Sequence, residues 1–286
     1  MSYNGGVLPM TMMRTFLLML TLTMIVVVIG IALWGDAGAS FGITAAIIMN
    51  VLSYWFADKA VLAMTGARAL APGEQPKLVH MVQTLATSAK LPMPKVYVID
   101  TPEANAFATG RDPEHGVVAV TSGIMQTLTD DELAGVIAHE LAHIKHRDIL
   151  ISAIAATMAG IIAQTAYLFR FTGGRGSRSN PLVILAIIIV APLAATLIRM
   201  GISREREFAA DAGGAEISND PRALARALQK IEHAAQQSSP DFNPSTASLF
   251  IVNPFSAQTI MNLFSTHPPT AERIARLESM AIQRRP

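Results

Sequence analysis

No cysteine occurs among the 286 residues, and only 15% of them are charged. The first absence excludes a disulfide framework, a thiolate metal site and a thiol nucleophile, so any metal must be held by nitrogen and oxygen. The scarcity of charge, beside 51% hydrophobic residues and a mean hydropathy of +0.39, excludes an ordinary soluble enzyme and points to a membrane. Imbalance of sign is missing too. The net charge is +1 and no long basic run is interleaved with aromatics, so nucleic acid is not an expected partner.

What is present is a set of four apolar stretches, each long enough to cross a bilayer: residues 15–34, 41–57, 149–169 and 181–197. The first pair, joined by the turn at residues 35–38, reads as a helical hairpin, with a re-entrant or interfacial helix as the alternative for its second member. The first run is too long for a signal peptide, and no cleavage site follows it. An even number of spans returns the chain to its starting side, so residues 58–148 and 200–286 share a compartment and can build one site together. Arg14, Lys59, Arg68, Lys145, Arg147, Arg199, Arg204 and Arg206 flank spans on that side, against Arg170, Arg175 and Arg178 in the opposite loop. This excess places both polar regions in the cytoplasm of a multi-pass membrane protein. The expected organisation is a transmembrane hairpin (1–57), a first catalytic segment (58–148), a second hairpin (149–199) and a second catalytic segment (200–286).

The first polar region contains His139-Glu140-Leu141-Ala142-His143. Residues four apart on an α-helix lie on one face, so both imidazoles can reach one metal ion, while Glu140 can take a proton from water activated there. Thr129 and Glu132 form a capping-box pair ahead of Leu133, Val136 and Ile137, which starts the helix near Asp130 and sets the motif well inside it. His146, roughly 10 Å further along the axis than His139, cannot share the ion. Catalytic zinc sites use three protein ligands and an open position. The second polar region supplies the third in Ser203-Arg204-Glu205-Arg206-Glu207-Phe208-Ala209-Ala210-Asp211, which is helical in pattern. Glu207 and Asp211 share a face, so Glu207 is assigned as ligand and Asp211 as acceptor of a ligating histidine's spare N–H. The rival, Glu205, points about 200° away from Glu207 on the same helix. Zinc, one per chain, is the default ion for two histidines and a glutamate.

With HELAHIKHRD (139–148), SREREFAADAGGA (203–215), NAFATG (105–110) and STHPPTAER (265–273) in this order around paired spans, the chain resembles the HtpX-like membrane zinc metalloproteases, relatives of the prenyl-protein (CAAX) endoproteases. The resemblance implies a mainly α membrane protein with about four transmembrane helices and a cytoplasmic gluzincin-like metalloprotease domain. It implies a heat-shock-linked endopeptidase of the inner (plasma) membrane acting on misfolded or damaged membrane proteins, with His139, His143 and Glu207 as ligands and Glu140 as general base. A prenyl-protein endoprotease is the second reading, although that group carries more spans and an enclosed chamber. A non-enzymatic membrane adaptor is the third, although it would be expected to have lost one of these four residues.

Two further segments bear on catalysis. Residues 95–99 and 116–120 read as short strands flanking Asn105, Ala106, Phe107, Ala108, Thr109 and Gly110, a small β-ribbon whose open edge can bind the backbone of an extended substrate. A plain hairpin loop is the alternative. Thr266-His267-Pro268-Pro269 reads as a helix start, and His267 or Arg273 is a candidate to stabilise the oxyanion of the tetrahedral intermediate. Residues 76–90 and 221–234 read as amphipathic scaffold helices, the latter with Leu224, Leu228 and Ile231 on one stripe. Residues 236–257 are expected to be irregular, a flap near the site.

Overall fold

The computed structural model describes residues 10–154, 157, 204–237 and 268–283. The expected spans at 149–169 and 181–197 lie almost wholly outside these residues, as do His267 and, beyond Gln237, the irregular stretch to 257.

The chain opens with α1 (Met10–Thr65), which is broken at Gly35, where φ is 61° and ψ −139°. Only a residue without Cβ adopts this backbone without strain. The two arms fold back on one another: a Cβ on Gly42 would sit 2.9 Å from Val27 Cα, and Asn50 Nδ2 donates to Thr23 Oγ1 at 2.8 Å. The expected hairpin is thus observed as helix against helix. Its second arm, Gly35–Thr65, is long and apolar enough to cross a membrane and keeps only 11% of its apolar window inside the protein. Phe41, Ile47, Ile48, Leu52 and Trp55 point outward, as lipid-facing groups do. The arm does not stop at residue 57 but runs through Asp58 and Lys59. At 1.5 Å per residue its 31 residues reach about 46 Å, longer than the ~30 Å hydrocarbon layer of a bilayer. Tyr54, Trp55 and Phe56, with the Lys59 ammonium over the Phe56 ring at 5.0 Å, mark the exit with the aromatic and cationic groups that favour a membrane–water boundary.

Four strands follow: β1 (Arg68–Ala69), β2 (Lys95–Ile99), β3 (Ala106–Thr109) and β4 (Val117–Thr121). Their order is β1-β2-β4-β3. β2 and β4 are parallel neighbours, and β3 pairs antiparallel with β4. The expected two-stranded ribbon is therefore corrected to a mixed four-stranded sheet, and residues 106–109 are a strand at its edge rather than a loop. Val117 to Thr121 are all buried, as a central strand covered on both faces requires.

The helices α2 (Pro76–Ala89), α3 (Ser122–Thr127), α4 (Asp130–Lys145), α5 (Arg204–Ser218), α6 (Pro221–Gln237) and α7 (Thr270–Gln283) complete the described fold. The period-two alternation of the strands divides the core. Val98, Ala106, Val118 and Val120 pack with Leu78 and Val82 of α2, Val136, Ile137 and Leu141 of α4 and the Leu224, Leu228 and Ile231 stripe of α6. Ile99, Phe107, Val117 and Ala119, on the other face, pack with Leu18, Ala57, Val61 and Leu62 of the hairpin and with Ile151 and Ile154. One sheet thus joins the membrane hairpin to the helix that bears the histidines.

Candidate metal centre

α4 begins where the capping box places it. Thr129 Oγ1 accepts from the Glu132 N–H, and the Glu132 carboxylate accepts from the Thr129 N–H at 2.9 Å. Lys230 on α6 closes on the same buried carboxylate at 2.7 Å. Ten residues into this fixed helix, His139, Glu140 and His143 point toward α5. The two helices meet at backbone distance: a Cβ on Gly214 would lie 2.8 Å from His139 N and Cα, and one on Gly213 would lie 3.0 Å from Ala142 Cβ. That closeness brings Glu207, two turns earlier on α5, over the imidazole pair.

The three side chains offer ligand atoms within 4.8 Å of one another. His139 Nε2 and His143 Nε2 are 3.2 Å apart, and Glu207 lies 3.7 Å from His139 Nε2 and 3.7 Å from His143 Nε2. A tetrahedral ion bound at about 2.0–2.2 Å has ligand–ligand edges of about 3.3–3.6 Å, and the two imidazoles, with Glu207 Oε2 toward His139 and Oε1 toward His143, lie near that spacing. The far nitrogens support the same reading. His139 Nδ1 lies 3.0 Å from Asp211 Oδ1, and His143 Nδ1 lies 3.2 Å from both oxygens of Asp148. A carboxylate near Nδ1 favours a proton there, although the His139–Asp211 approach is an ion-pair distance without hydrogen-bond alignment, and it leaves each Nε2 with a lone pair that a cation satisfies. The donor set fits a divalent metal.

Charge is balanced around this point. Arg273, 1% exposed, donates Nε–H and Nη2–H to Asp211 at 2.8 and 2.7 Å, with Nη2 3.5 Å from His139 Nε2. Burial would raise the Asp211 carboxyl, but the Arg273 guanidinium outweighs it and holds the group down at about 2. Burial also opposes charge on His143, yet Asp148 prevails and pushes the imidazole up to about 10. For Glu140, 5% exposed, desolvation wins: its carboxyl is raised, with the nearby imidazoles opposing and Glu207 adding to the rise. Glu140 Oε2 accepts the Ala108 N–H of β3 at 2.7 Å, so this carboxylate touches the edge strand directly. In the antiparallel register Phe107↔Ala119 and Thr109↔Val117, alternation leaves the N–H and C=O of Ala106 and Ala108 facing the open edge. Asn105 precedes them, its N–H on Thr121 Oγ1 at 2.9 Å.

Of the residues singled out in the sequence, the structure brings together His139, Glu140, His143, Glu207, Asp211, Arg273 and the strand at 106–109. Glu205 is exposed on the other side of α5, and His146 is an exposed residue at the end of α4. Asp148 escaped the sequence reading. Its signal was faint: a carboxylate just past a helix end can return to the last turn only if the chain reverses there, and the reversing residue is Arg147, at φ 60°, where glycine would have announced it.

Residues 72–281 match the family described as Peptidase family M48. A Protease HtpX homolog of Methylibium petroleiphilum is 50% identical over 96% of this chain and 99% of its own length. Another from Thermodesulfovibrio yellowstonii is 52% identical over 94% and 98%. Among solved structures, the crystal structure of S. mikatae Ste24p shares the fold at a TM-score of 0.52 and 18% identity; the match covers 93% of this chain, which spans 65% of the Ste24p chain. Since the matched segment carries the buried histidine–glutamate cluster and the relatives align along nearly the whole length, the chain belongs to peptidase family M48 and is a membrane metalloprotease.

Proposed function

We propose that the chain is a zinc-dependent endopeptidase that hydrolyses peptide bonds of misfolded or damaged membrane proteins as part of a stress response, with one zinc per chain on His139, His143 and Glu207. The observation that carries this reading is the buried cluster of two Nε2 atoms and the Glu207 carboxylate, whose ligand atoms lie within 4.8 Å of one another, backed by carboxylates near both Nδ1 atoms. A divalent ion bound there supplies acidified water and a polarised scissile carbonyl. The rest is done by the chain. Glu140, its affinity for a proton raised by burial, takes the proton at its carboxylate and passes it to the leaving amine. An extended substrate adds to the β3 edge through the outward backbone groups of Ala106 and Ala108, flanked by Asn105, Phe107 and Thr109, which binds main chain without requiring a sequence. The Ala108 N–H released by Glu140 becomes one of those contacts. Arg273, or His267 outside the described residues, is the candidate to stabilise developing negative charge on the carbonyl oxygen. Asp211, clamped by Arg273, orients His139.

The proposed topology has four spans, with both polar regions in the cytoplasm and divisions at 1–57, 58–148, 149–199 and 200–286. It is supported by the arginine and lysine distribution and by a sheet that packs on the first hairpin. Single cysteines introduced at residues 174 and 286 of this cysteine-free chain test it: labelling of 286 from the cytoplasmic side and of 174 from outside is expected, and the reverse overturns the orientation.

The chemistry is tested by zinc content and casein cleavage in detergent. Glu140→Gln should keep zinc and lose cleavage, while His139→Ala, His143→Ala and Glu207→Ala should lose both. Glu205→Ala should behave as wild type. Turnover by Glu140→Gln would remove the general base from this scheme, and a Glu207→Ala protein that holds zinc would move the third ligand elsewhere.

A further inference from the structure

Both histidines of the cluster lean on a carboxylate, but the two carboxylates are held in different ways. Asp211 comes from α5 and is locked by Arg273 on α7, so the support of His139 is made wholly within the catalytic helices. Asp148, 2% exposed, is locked by the backbone. At the end of α4 the His146 N–H bonds Ala142 O (2.9 Å), the Arg147 N–H bonds Ile144 O (3.1 Å) and the Asp148 N–H bonds His143 O (3.3 Å), with Arg147 left-handed. This is the Schellman reversal, and it returns Asp148 to the residue whose ring it contacts.

Asp148 also opens the next helix. Residues 149–154 are helical, the Ser152 N–H reaches Asp148 O at 3.3 Å, and an aspartate in this place ordinarily turns its side chain onto the first N–H groups of its own helix. Here both oxygens face His143 Nδ1 instead. The helix so begun is seated on the membrane hairpin: Ile151 and Ile154 are 0% exposed among Leu18, Ala57, Val61 and Leu62, and Thr157 Oγ1 reaches Ala57 O at 3.4 Å.

We propose that Asp148 is a positioning residue of the metal centre, holding His143 through Nδ1 and tying that ligand to the hairpin-seated helix that Asp148 begins. This rests on the metal site proposed above. One ligand is then oriented from within the catalytic helices and the other from the membrane side, so the hold on the metal senses how the hairpin is packed.

The test uses full-length protein loaded with zinc, comparing wild type, Asp148→Asn and Asp211→Asn in detergent micelles and in phospholipid bilayer discs. Zinc release into excess chelator should be about 10 to 100-fold faster in either variant. The metal-free melting temperature of Asp148→Asn should fall, because the buried Asp148–His143 pair is broken; Leu78→Ala, a buried core variant on α2 away from the cluster, should lower it as well but release zinc as wild type does. The micelle-to-bilayer ratio of release rates should exceed one in wild type and in Asp211→Asn, and fall to one in Asp148→Asn. Wild-type release from Asp148→Asn overturns the positioning role, as does release from Leu78→Ala that is as fast as from Asp148→Asn. A wild-type ratio of one, or a ratio that survives in Asp148→Asn, overturns the tie to the hairpin. If His139→Ala and Glu207→Ala also retain zinc, the metal site itself is at fault and not this inference.

Discussion

The two arms of α1 and the pair α4–α5 invert the usual rule of burial in opposite ways. The hairpin turns Phe16, Leu17, Phe41, Ile47 and Leu52 outward, whereas the helix pair encloses Glu132, His139, Glu140, Glu207 and Asp211. In the first the surrounding medium is lipid, and outward apolar groups lose nothing. In the second the buried carboxylates other than Glu140 have named opposites: Glu132 has Lys230, Asp211 has Arg273, and Glu207 faces the imidazoles. The lesson is that stability in the hairpin depends on area and medium, while in the helix pair it depends on a few specific pairs.

The largest departure should come from breaking one such pair. Arg273→Ala leaves Asp211 buried without its cation and should cost about 3–5 kcal/mol, read as a lowered melting temperature in detergent. Phe41→Ala, 63% exposed on the hairpin, should stay within about 0.5 kcal/mol. Equal losses would erase the contrast.

Acid should act on the helix pair and spare the hairpin. Asp211 is held at about 2 in the folded protein, against ~3.9 unfolded. Its contribution, about 2 kcal/mol, is therefore complete above pH 4 and lost as pH falls from 4 to 2. In the metal-free protein His143 runs the other way. Its raised value, about 10, means that its share is full below ~6.5 and lost as pH climbs through 10. The same proton competes with the metal, so apparent zinc affinity should rise about tenfold per pH unit between 7 and 9. Melting curves and zinc titrations across this range check both signs.

A smaller effect follows from close approach. Gly214→Ala puts a methyl 2.8 Å from the His139 backbone and should cost about 1–3 kcal/mol, with weakened zinc binding because Glu207 is carried away with α5. Full zinc retention would show that the helices can part without moving the ligand. The smallest effect is expected at the turn after α4: Arg147→Gly relieves a left-handed arginine and should stabilise by about 0.4–1 kcal/mol, visible as a small rise in melting temperature.

The site was legible in the sequence where its signals are local and periodic. A capping box, an i, i+4 histidine pair and an i, i+4 Glu207–Asp211 pair each fix geometry within one helix. The sheet was less so: the parallel pairing of β2 with β4 spans a crossover that leaves no local signature, and the alanine-rich residues 106–109 resemble a loop until β4 gives them a partner. Asp148 was hidden by its neighbour, since an arginine in the left-handed position advertises no reversal. The overrun of α1 past Asp58 could not be read from hydropathy, which marks where lipid ends and not where a helix does.

The two-faced sheet has a practical consequence. Ile99, Phe107, Val117 and Ala119 find their packing partners on the hairpin and on residues 151–154. A truncated protein beginning after Thr65 would present that face, and the unpaired β3 edge beside it, to water, and would aggregate rather than serve as a soluble protease. The N-terminal hairpin is thus one wall of the smaller of the two core clusters among the described residues, and purification strategies that trim it as a dispensable anchor remove that wall.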